Sequence, residues 1–327
     1  MKTACTCVLI IALANTSAFA GSSAEELENR IYNAYGKTGI KIFRNMDGIK
    51  SAQDVMEDAG FSESEMAEML KWFEKEAGSL NQKALAFYNG GDVPSAIPYI
   101  ETALEITSKV LGRKHPAVAK ALNFLAELYK LTERHADAEP LYKWVLEINE
   151  ARYGKDHPAV AAGIINLALL YKSMSRHSEA EPLLLRALDI CETTYGKDHQ
   201  TVSAVITNLA LLYDEKGRYQ EAEPLYLRAL TIDEKALGGE HPQLFTTLNN
   251  LASLYLSTGR YVDAEPLYLR AIKIMDKALG GEHPQLSTTL NNLASLYLST
   301  GRYVDAEPLY LKEIGRAKRQ RTPISRH

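Results

Sequence analysis

At 327 residues, 46% of them hydrophobic, the chain can supply two ordinary domains or one long repeat array. Its 37 Lys and Arg stand against 41 Asp and Glu, a formal net charge of −4. That mild acidity argues against a general binder of nucleic acid or of anionic membranes.

Residues 1–20 carry one charge, Lys2, then an apolar run from Val8 to Leu13, and end in Ala18-Phe19-Ala20 before Gly21-Ser22-Ser23. The pattern predicts a secretory signal peptide cleaved near Ala20, and so an exported protein, periplasmic or secreted. A buried N-terminal helix is the plainer alternative. The run is too short to span a bilayer, which needs roughly 20 residues. Neither Cys5 nor Cys7 has the Leu-and-small-residue context of a lipoprotein signal. Both leave with the signal, so Cys191 is expected as the single thiol of the mature chain, without an internal disulfide. Asn149, Asp233 and Met275 stand at its register in other repeats, which marks the position as unconstrained and the thiol as inert.

Residues 21–72 read as a helical capping segment. Helices are predicted over 24–35, 51–59 and 63–76, the last opened by Ser62 and Ser64 with acids in its first turn. An array end exposes an apolar face unless something polar covers it, and that is the role expected here. An independent functional domain is the alternative.

From there the chain repeats. Lys235 to Leu269 recurs at Lys277 to Leu311 with one difference, Phe245 against Ser287, a period of 42 residues. Within a unit, Leu248, Leu251, Ala252 and Tyr255 fall at i, i+3, i+4 and i+7 of a first helix that Pro242 opens and Gly259 ends. A second helix begins near Tyr261, places Tyr261, Ala264, Tyr268 and Ala271 on one side, and stops at Gly280-Gly281. Alanines let two helix axes approach and tyrosines fill the gaps beside them. The same positions read Ala210, Tyr213, Ala222, Tyr226 and Ala229; Ala168, Tyr171, Ala180, Leu184 and Ala187; and Ala126, Tyr129, Ala138, Tyr142 and Val145. A degenerate unit over 73–114 has Ala84, Phe87, Ala96, Ile100 and Ala103, and even Pro98 in register. That makes six units, with the regular array over 115–311 and a basic tail over 312–327. The tail is expected to close the stack, with contact to an acidic surface or membrane headgroups as its alternative.

This small-large spacing resembles the tetratricopeptide repeat. The 42-residue period, with Leu-Asn-Asn-Leu-Ala at Leu248 to Ala252, Ala-Glu-Pro-Leu-Tyr at Ala264 to Tyr268 and Gly-Glu-His-Pro at Gly239 to Pro242, is similar to the kinesin light chain subgroup. The resemblance implies an all-α, right-handed solenoid of helix-turn-helix repeats. It implies a protein- or peptide-binding scaffold without catalysis or cofactor. No sustained heptad coiled coil precedes the repeats, so a motor-cargo role is not carried over.

His115, His157, His199, His241 and His283 recur once per unit between units, and are read as structural rather than metal-binding. Arg134, Arg176, Arg218, Arg260 and Arg302 recur in the turn inside each unit, where pairing with nearby acids is expected. The side of the first helix away from its apolar stripe is more informative. There Thr246, Asn250, Ser253 and Ser257 fall at i, i+4, i+7 and i+11, and the Asn position reads Phe124, Asn166, Asn208, Asn250 and Asn292 along the array. The resemblance places this face in a concave groove where asparagines hold the main chain of an extended peptide. A carboxamide suits that task, since it both donates and accepts. The alternative is that these asparagines bridge adjacent first helices.

Selectivity is expected toward the N-terminal end of the groove, where Lys120, Phe124, Lys130, Leu131, Leu169, Lys172 and Leu211 suggest an apolar anchor with an acidic residue beside it. The other end is neutral, with Thr288, Asn291, Asn292, Ser295 and Ser299. The cation clamp that relatives use for a free C-terminal carboxylate is not reproduced, because Ala162 and Ala204 stand where a second cation would be. No Gly-rich phosphate loop or metal-spaced Cys/His set is present. The expected partners are therefore proteins or extended peptide segments, not nucleic acid, a small-molecule substrate or a membrane. The rivals are assembly through the convex surface and an enzyme residing in residues 21–72.

Overall fold

The computed structural model describes residues 56–57, 61–280 and 283–311. The expected signal peptide, the expected helix over 24–35 and the basic tail over 312–327 lie outside the described residues. Among the described residues the regular elements are helices: α1 (Glu63–Asn89), α2 (Val93–Leu111), α3 (Pro116–Leu131), α4 (His135–Tyr153), α5 (Pro158–Ser173), α6 (His177–Tyr195), α7 (Gln200–Glu215), α8 (Tyr219–Leu237), α9 (Leu244–Ser257), α10 (Tyr261–Leu279) and α11 (Leu286–Ser299). Residues 303–311 are helical as well.

The chain divides between Leu170 and Tyr171 into two compact units. In the first, α1 packs on α2, α2 on α3 and α3 on α4. In the second, each helix from α6 to α11 packs on the next, and the first helices α7, α9 and α11 also touch in succession. This is the all-α helical-repeat solenoid class that the sequence predicts.

Helix α1 opens where expected. Ser62 Oγ accepts from Glu65 N at 3.4 Å, and Ser62 N donates to Glu65 Oε2 at 3.0 Å, a capping box that satisfies two amide donors. It does not stop near Glu76, however. Met66, Met69, Phe73, Ala77, Leu80 and Ala84 make one continuous buried stripe, so the segment before residue 73 and the first helix of the degenerate repeat are a single 27-residue helix.

The alanine–tyrosine frame is observed in both units. Ala126, Ala138 and Tyr142 are fully buried in the first, and Ala210, Ala222, Tyr226, Ala229, Ala252, Ala264, Tyr268 and Ala271 in the second. With no side chain beyond Cβ, each alanine lets a neighbouring helix approach, and each tyrosine ring fills the adjoining volume. Between repeats, Leu230, Leu244, Leu248, Ile274, Met275, Leu286 and Leu290 join one core cluster, so α8, α9, α10 and α11 share their apolar faces.

The recurring polar residues hold the turns. Nδ1 of His115, His157, His199, His241 and His283 accepts the amide two residues on, at 3.2, 3.1, 3.1, 3.3 and 3.4 Å. Each histidine thus caps a first helix or the turn leading into it, which is the structural role expected. Pro116 and Pro158 then begin α3 and α5, whereas Pro242 lies in a turn before α9 starts at Leu244.

The arginines stack on the last tyrosine of the first helix, with Arg134, Arg218, Arg260 and Arg302 at 4.0, 4.1, 4.1 and 4.2 Å from the rings of Tyr129, Tyr213, Tyr255 and Tyr297. Each also pairs with an acid three residues on, Arg260 with Asp263 at 2.8 Å and Arg302 with Asp305 at 2.7 Å. Arg218, Arg260 and Arg302 reach Glu181, Glu223 and Glu265 of the preceding repeat at 2.7, 2.8 and 2.7 Å. The local acid pairing expected of this arginine row is present, and in the second unit it doubles as a staple between repeats.

The turn inside each unit needs a left-handed residue. Gly217, Gly259 and Gly301 supply it with φ of 70°, 74° and 74°, but Glu133 and Ser175 occupy the same place with φ of 60° and 57°. A Cβ there is strained, so the Glu133 and Ser175 turns are less comfortable than those built on glycine, Gly91 with φ of 81° among them.

Candidate functional site

In the first unit, Asn166 Nδ2 donates to Asn123 Oδ1 at 2.8 Å, a bridge between α5 and α3. Phe124 is half-buried and packs edge-to-face on Tyr88 with centroids 5.8 Å apart. Leu169 is half-buried and Leu131 exposed. Lys130 Nζ is 2.6 Å from Glu127 Oε2, the same carboxylate that accepts the Tyr142 hydroxyl at 2.9 Å. Lys120 is exposed and has no ion-pair partner among the described residues.

In the second unit, Lys172 Nζ lies 3.2 Å from Glu215 Oε1. Two of the three lysines are thus already compensated by acids that sequence reasoning did not pair with them. Asn208, Leu211 and Asn250 are half-buried, while Thr246 and Ser295 are exposed. Ser253 Oγ meets the Tyr268 hydroxyl at 3.0 Å and accepts from Asn292 Nδ2 at 3.3 Å. Thr289 Oγ1 donates to Asn249 Oδ1 at 2.8 Å, a second polar bridge between α9 and α11.

The asparagine row therefore divides. Asn166 and Asn292 bridge neighbouring first helices, as the alternative reading had it, whereas Asn208 and Asn250 have no hydrogen-bond partner among the described residues and keep their carboxamides available. The residues expected as one apolar anchor are split between units, Phe124 and Leu169 in the first and Leu211 in the second.

One feature escaped the sequence reading. Asp214, at the register occupied by Lys130, Lys172, Leu256 and Leu298, is half-buried, and burial together with the Glu215 charge pushes its carboxyl up to about 6. The reversal of charge at that register was the available signal. A correction concerns Cys191, which is 1% exposed, so its register is packed rather than unconstrained; Met275 there belongs to a core cluster, and Asn149 Nδ2 donates to Ala159 O at 3.1 Å. Burial pushes the Cys191 thiol up, consistent with an inert group.

Elsewhere, a shallow cleft of about 330 Å³ is lined by Gly239, Glu240, Arg270, Lys273, Ile274 and Lys277. Its cations are engaged, Lys273 and Lys277 by Glu240 at 3.1 and 2.7 Å and Arg270 by Glu234 at 2.5 Å. Among the described residues no group of three His, Cys, Asp or Glu is placed to hold a metal ion, and no helix is long and apolar enough to cross a membrane.

Stacked antiparallel helix pairs with a polar row on the first helices define a helical-repeat interaction scaffold. The tetratricopeptide repeat model matches residues 75–151, 145–193, 160–235, 201–277 and 243–319, and the chain belongs to that family. Such repeats generally bind proteins or peptides, and the fold is typically a non-catalytic scaffold. Among solved structures, the chain is similar to BtubC (BKLC) from P. vanneervenii, with 21% identity, a TM-score of 0.58, and coverage of 78% of this chain and 95% of that one. It is similar to a kinesin light chain-type protein of nearly identical TPR-like repeats from Podosopora anserina, with 28% identity, a TM-score of 0.54, and coverage of 64% and 99%. Pseudomonas aeruginosa PilF shares the fold at 20% identity, a TM-score of 0.51, and coverage of 73% and 91%. A search among curated proteins found no match to this chain.

Proposed function

We propose that this protein is a non-catalytic scaffold that holds extended peptide segments of partner proteins along the groove-facing row of its first helices. One observation carries this reading. Asn208 and Asn250 stand at one register on α7 and α9, half-buried and without hydrogen-bond partners among the described residues, on two helices that touch. One such carboxamide per repeat suits a ligand that runs from repeat to repeat and offers main-chain donors and acceptors to each. In the first unit, the half-buried Phe124 ring against Tyr88 suits an apolar anchor, and Lys120, without an ion-pair partner among the described residues, suits an acidic neighbour of that anchor.

The test is capture of partners by the Asn208→Ala, Asn250→Ala double variant in a pulldown from the exporting compartment. Loss of most capture is expected; unchanged capture overturns the groove reading. The leader-like pattern of residues 1–20 supports an exported location, and N-terminal sequencing of exported protein beginning at Gly21 is the expected result.

A second reading, assembly through the outer face of the second helices, has its own observation. Leu185, Leu227, Leu269 and Leu311 share a register and are 45%, 44%, 46% and 59% exposed. Crosslinks confined to these leucines would favour assembly, whereas crosslinks at Asn166, Asn208 and Asn250 favour the groove.

A further inference from the structure

The α7–α8 pair contains an unfinished polar cluster. At one register, second-helix tyrosines send their hydroxyls across to the first helix: Tyr142 Oη donates to Glu127 Oε2 at 2.9 Å, and Tyr268 Oη meets Ser253 Oγ at 3.0 Å. For Tyr226 the corresponding first-helix residue is Leu211, which offers no polar atom. The Tyr226 side chain is fully buried, and its hydroxyl has no hydrogen-bond partner among the described residues. A buried orphan hydroxyl is rare in a native fold and calls for a reason.

Its surroundings supply one. Leu211, Asp214 and Glu215 stand at i, i+3 and i+4 on α7 and so share a face. Tyr226 ionises with more difficulty than usual, first through burial and then through the charges of Asp214 and Glu215, so both carboxylates lie within its electrostatic reach. Tyr268 is also in the field of Asp214. Glu215 is occupied, with Lys172 Nζ at 3.2 Å and His177 Nε2 at 3.6 Å. The Asp214 carboxylate has neither an ion pair nor a hydrogen bond among the described residues, and burial beside Glu215 already disfavours its charged form. A half-buried carboxylate without a protein partner and a fully buried orphan hydroxyl can both accept from one donor that carries positive charge.

We propose that Asp214 and the Tyr226 hydroxyl form a subsite for a cationic side chain, lysine or arginine, of the bound peptide. This rests on the groove reading and deepens it. An ammonium or guanidinium donates to the Asp214 carboxylate and to the Tyr226 oxygen, and its charge offsets the repulsion between Asp214 and Glu215. Asn208, six residues earlier on α7, and Asn250 on α9 hold the main chain that delivers it. The ligand then carries a basic residue at the third repeat, where the register of Lys130 and Lys172 has changed sign.

The experiment uses two fluorescein-labelled degenerate heptapeptide pools, one with lysine fixed at the centre and one with norleucine, titrated against the full chain by fluorescence anisotropy. At pH 7.5 the lysine pool is expected to bind about tenfold more tightly. That ratio falls toward one by pH 5, as Asp214 takes up a proton. Asp214→Asn, nearly the same shape, makes the two pools equal at both pH values while norleucine binding persists, which separates Asp214 from His177. Tyr226→Phe lowers the ratio a few-fold. Equal affinity of the two pools for the wild type, or a lysine preference that survives Asp214→Asn, overturns the subsite alone. Failure of both pools to bind overturns the groove reading with it. Concentration-dependent self-association that Asp214→Asn abolishes would make a second copy the occupant and overturn the peptide assignment.

Discussion

The α7–α8 pair and the α9–α10 pair share one framework. Ala210 and Ala252, Ala222 and Ala264, and Tyr226 and Tyr268 are all fully buried, and Arg218 and Arg260 each sit 4.1 Å from the ring of the tyrosine five residues before them. They part on one face of the first helix, where Leu211, Asp214 and Glu215 correspond to Ser253, Leu256 and Ser257. In the later pair, Ser253 satisfies the Tyr268 hydroxyl; in the earlier one, the buried Tyr226 hydroxyl has no partner among the described residues. The framework residues set how helices approach, and the residues on this second face are released from that duty. Charge and unmet hydrogen-bonding capacity therefore accumulate in the second set without disturbing the first.

The largest effect expected from breaking this contrast is at the tyrosines. Tyr268→Phe removes a satisfied buried hydroxyl from Ser253 and costs about 1–2 kcal/mol, read as faster hydrogen exchange in α9 and α10. Tyr226→Phe removes an orphan and leaves exchange in α7 and α8 unchanged or slower. Equal costs at the two sites would show that Tyr226 has a partner after all.

Asp214 comes next. Its folded-state value of about 6 lies above the ordinary aspartate range, so the folded state holds a proton that the unfolded chain has already lost. Stability therefore falls as pH rises through about 4 to 6, and is not penalised below that window. Asp214→Asn is expected to stabilise by about 1 kcal/mol at pH 7.5, after allowance for solvent screening, and by almost nothing at pH 3.5. Thermal melts of both proteins at the two pH values measure it.

A smaller effect separates the Glu133 and Ser175 turns from the glycine turns. Ser175→Gly and Glu133→Gly relieve a left-handed Cβ and are expected to stabilise by about 0.5–1 kcal/mol, whereas Gly259→Ala destabilises by a similar amount. Urea midpoints report both signs. Cys191 gives the smallest change: the native thiol should resist a thiol reagent that labels it fully after unfolding, because it is 1% exposed.

Much of the framework was legible in the sequence because it is local. Leu248, Leu251, Ala252 and Tyr255 lie within two turns of one helix, and the histidine cap spans two residues. The arginine–acid pairs span three, so spacing predicted them. The continuation of α1 past Glu76 was not legible in the sequence, although Gly78 sits on the exposed side of an unbroken apolar stripe and does not interrupt it. The candidate site was legible as a row, since the asparagines recur at fixed spacing, but not in its state of occupancy. Whether Asn292 bridges to Ser253 or faces a ligand depends on side chains 39 residues apart, and the pairing of Lys172 with Glu215 joins residues 43 apart.

The sequence by itself determined the repeat, its helices and the register of the polar row, because a 42-residue period repeats the same short-range contacts. Only the tertiary structure decided which members of that row are spent on bridging helices and which are left open. That choice turns on one side chain reaching another on a different helix, as Tyr268 reaches Ser253 and Tyr226 finds only Leu211.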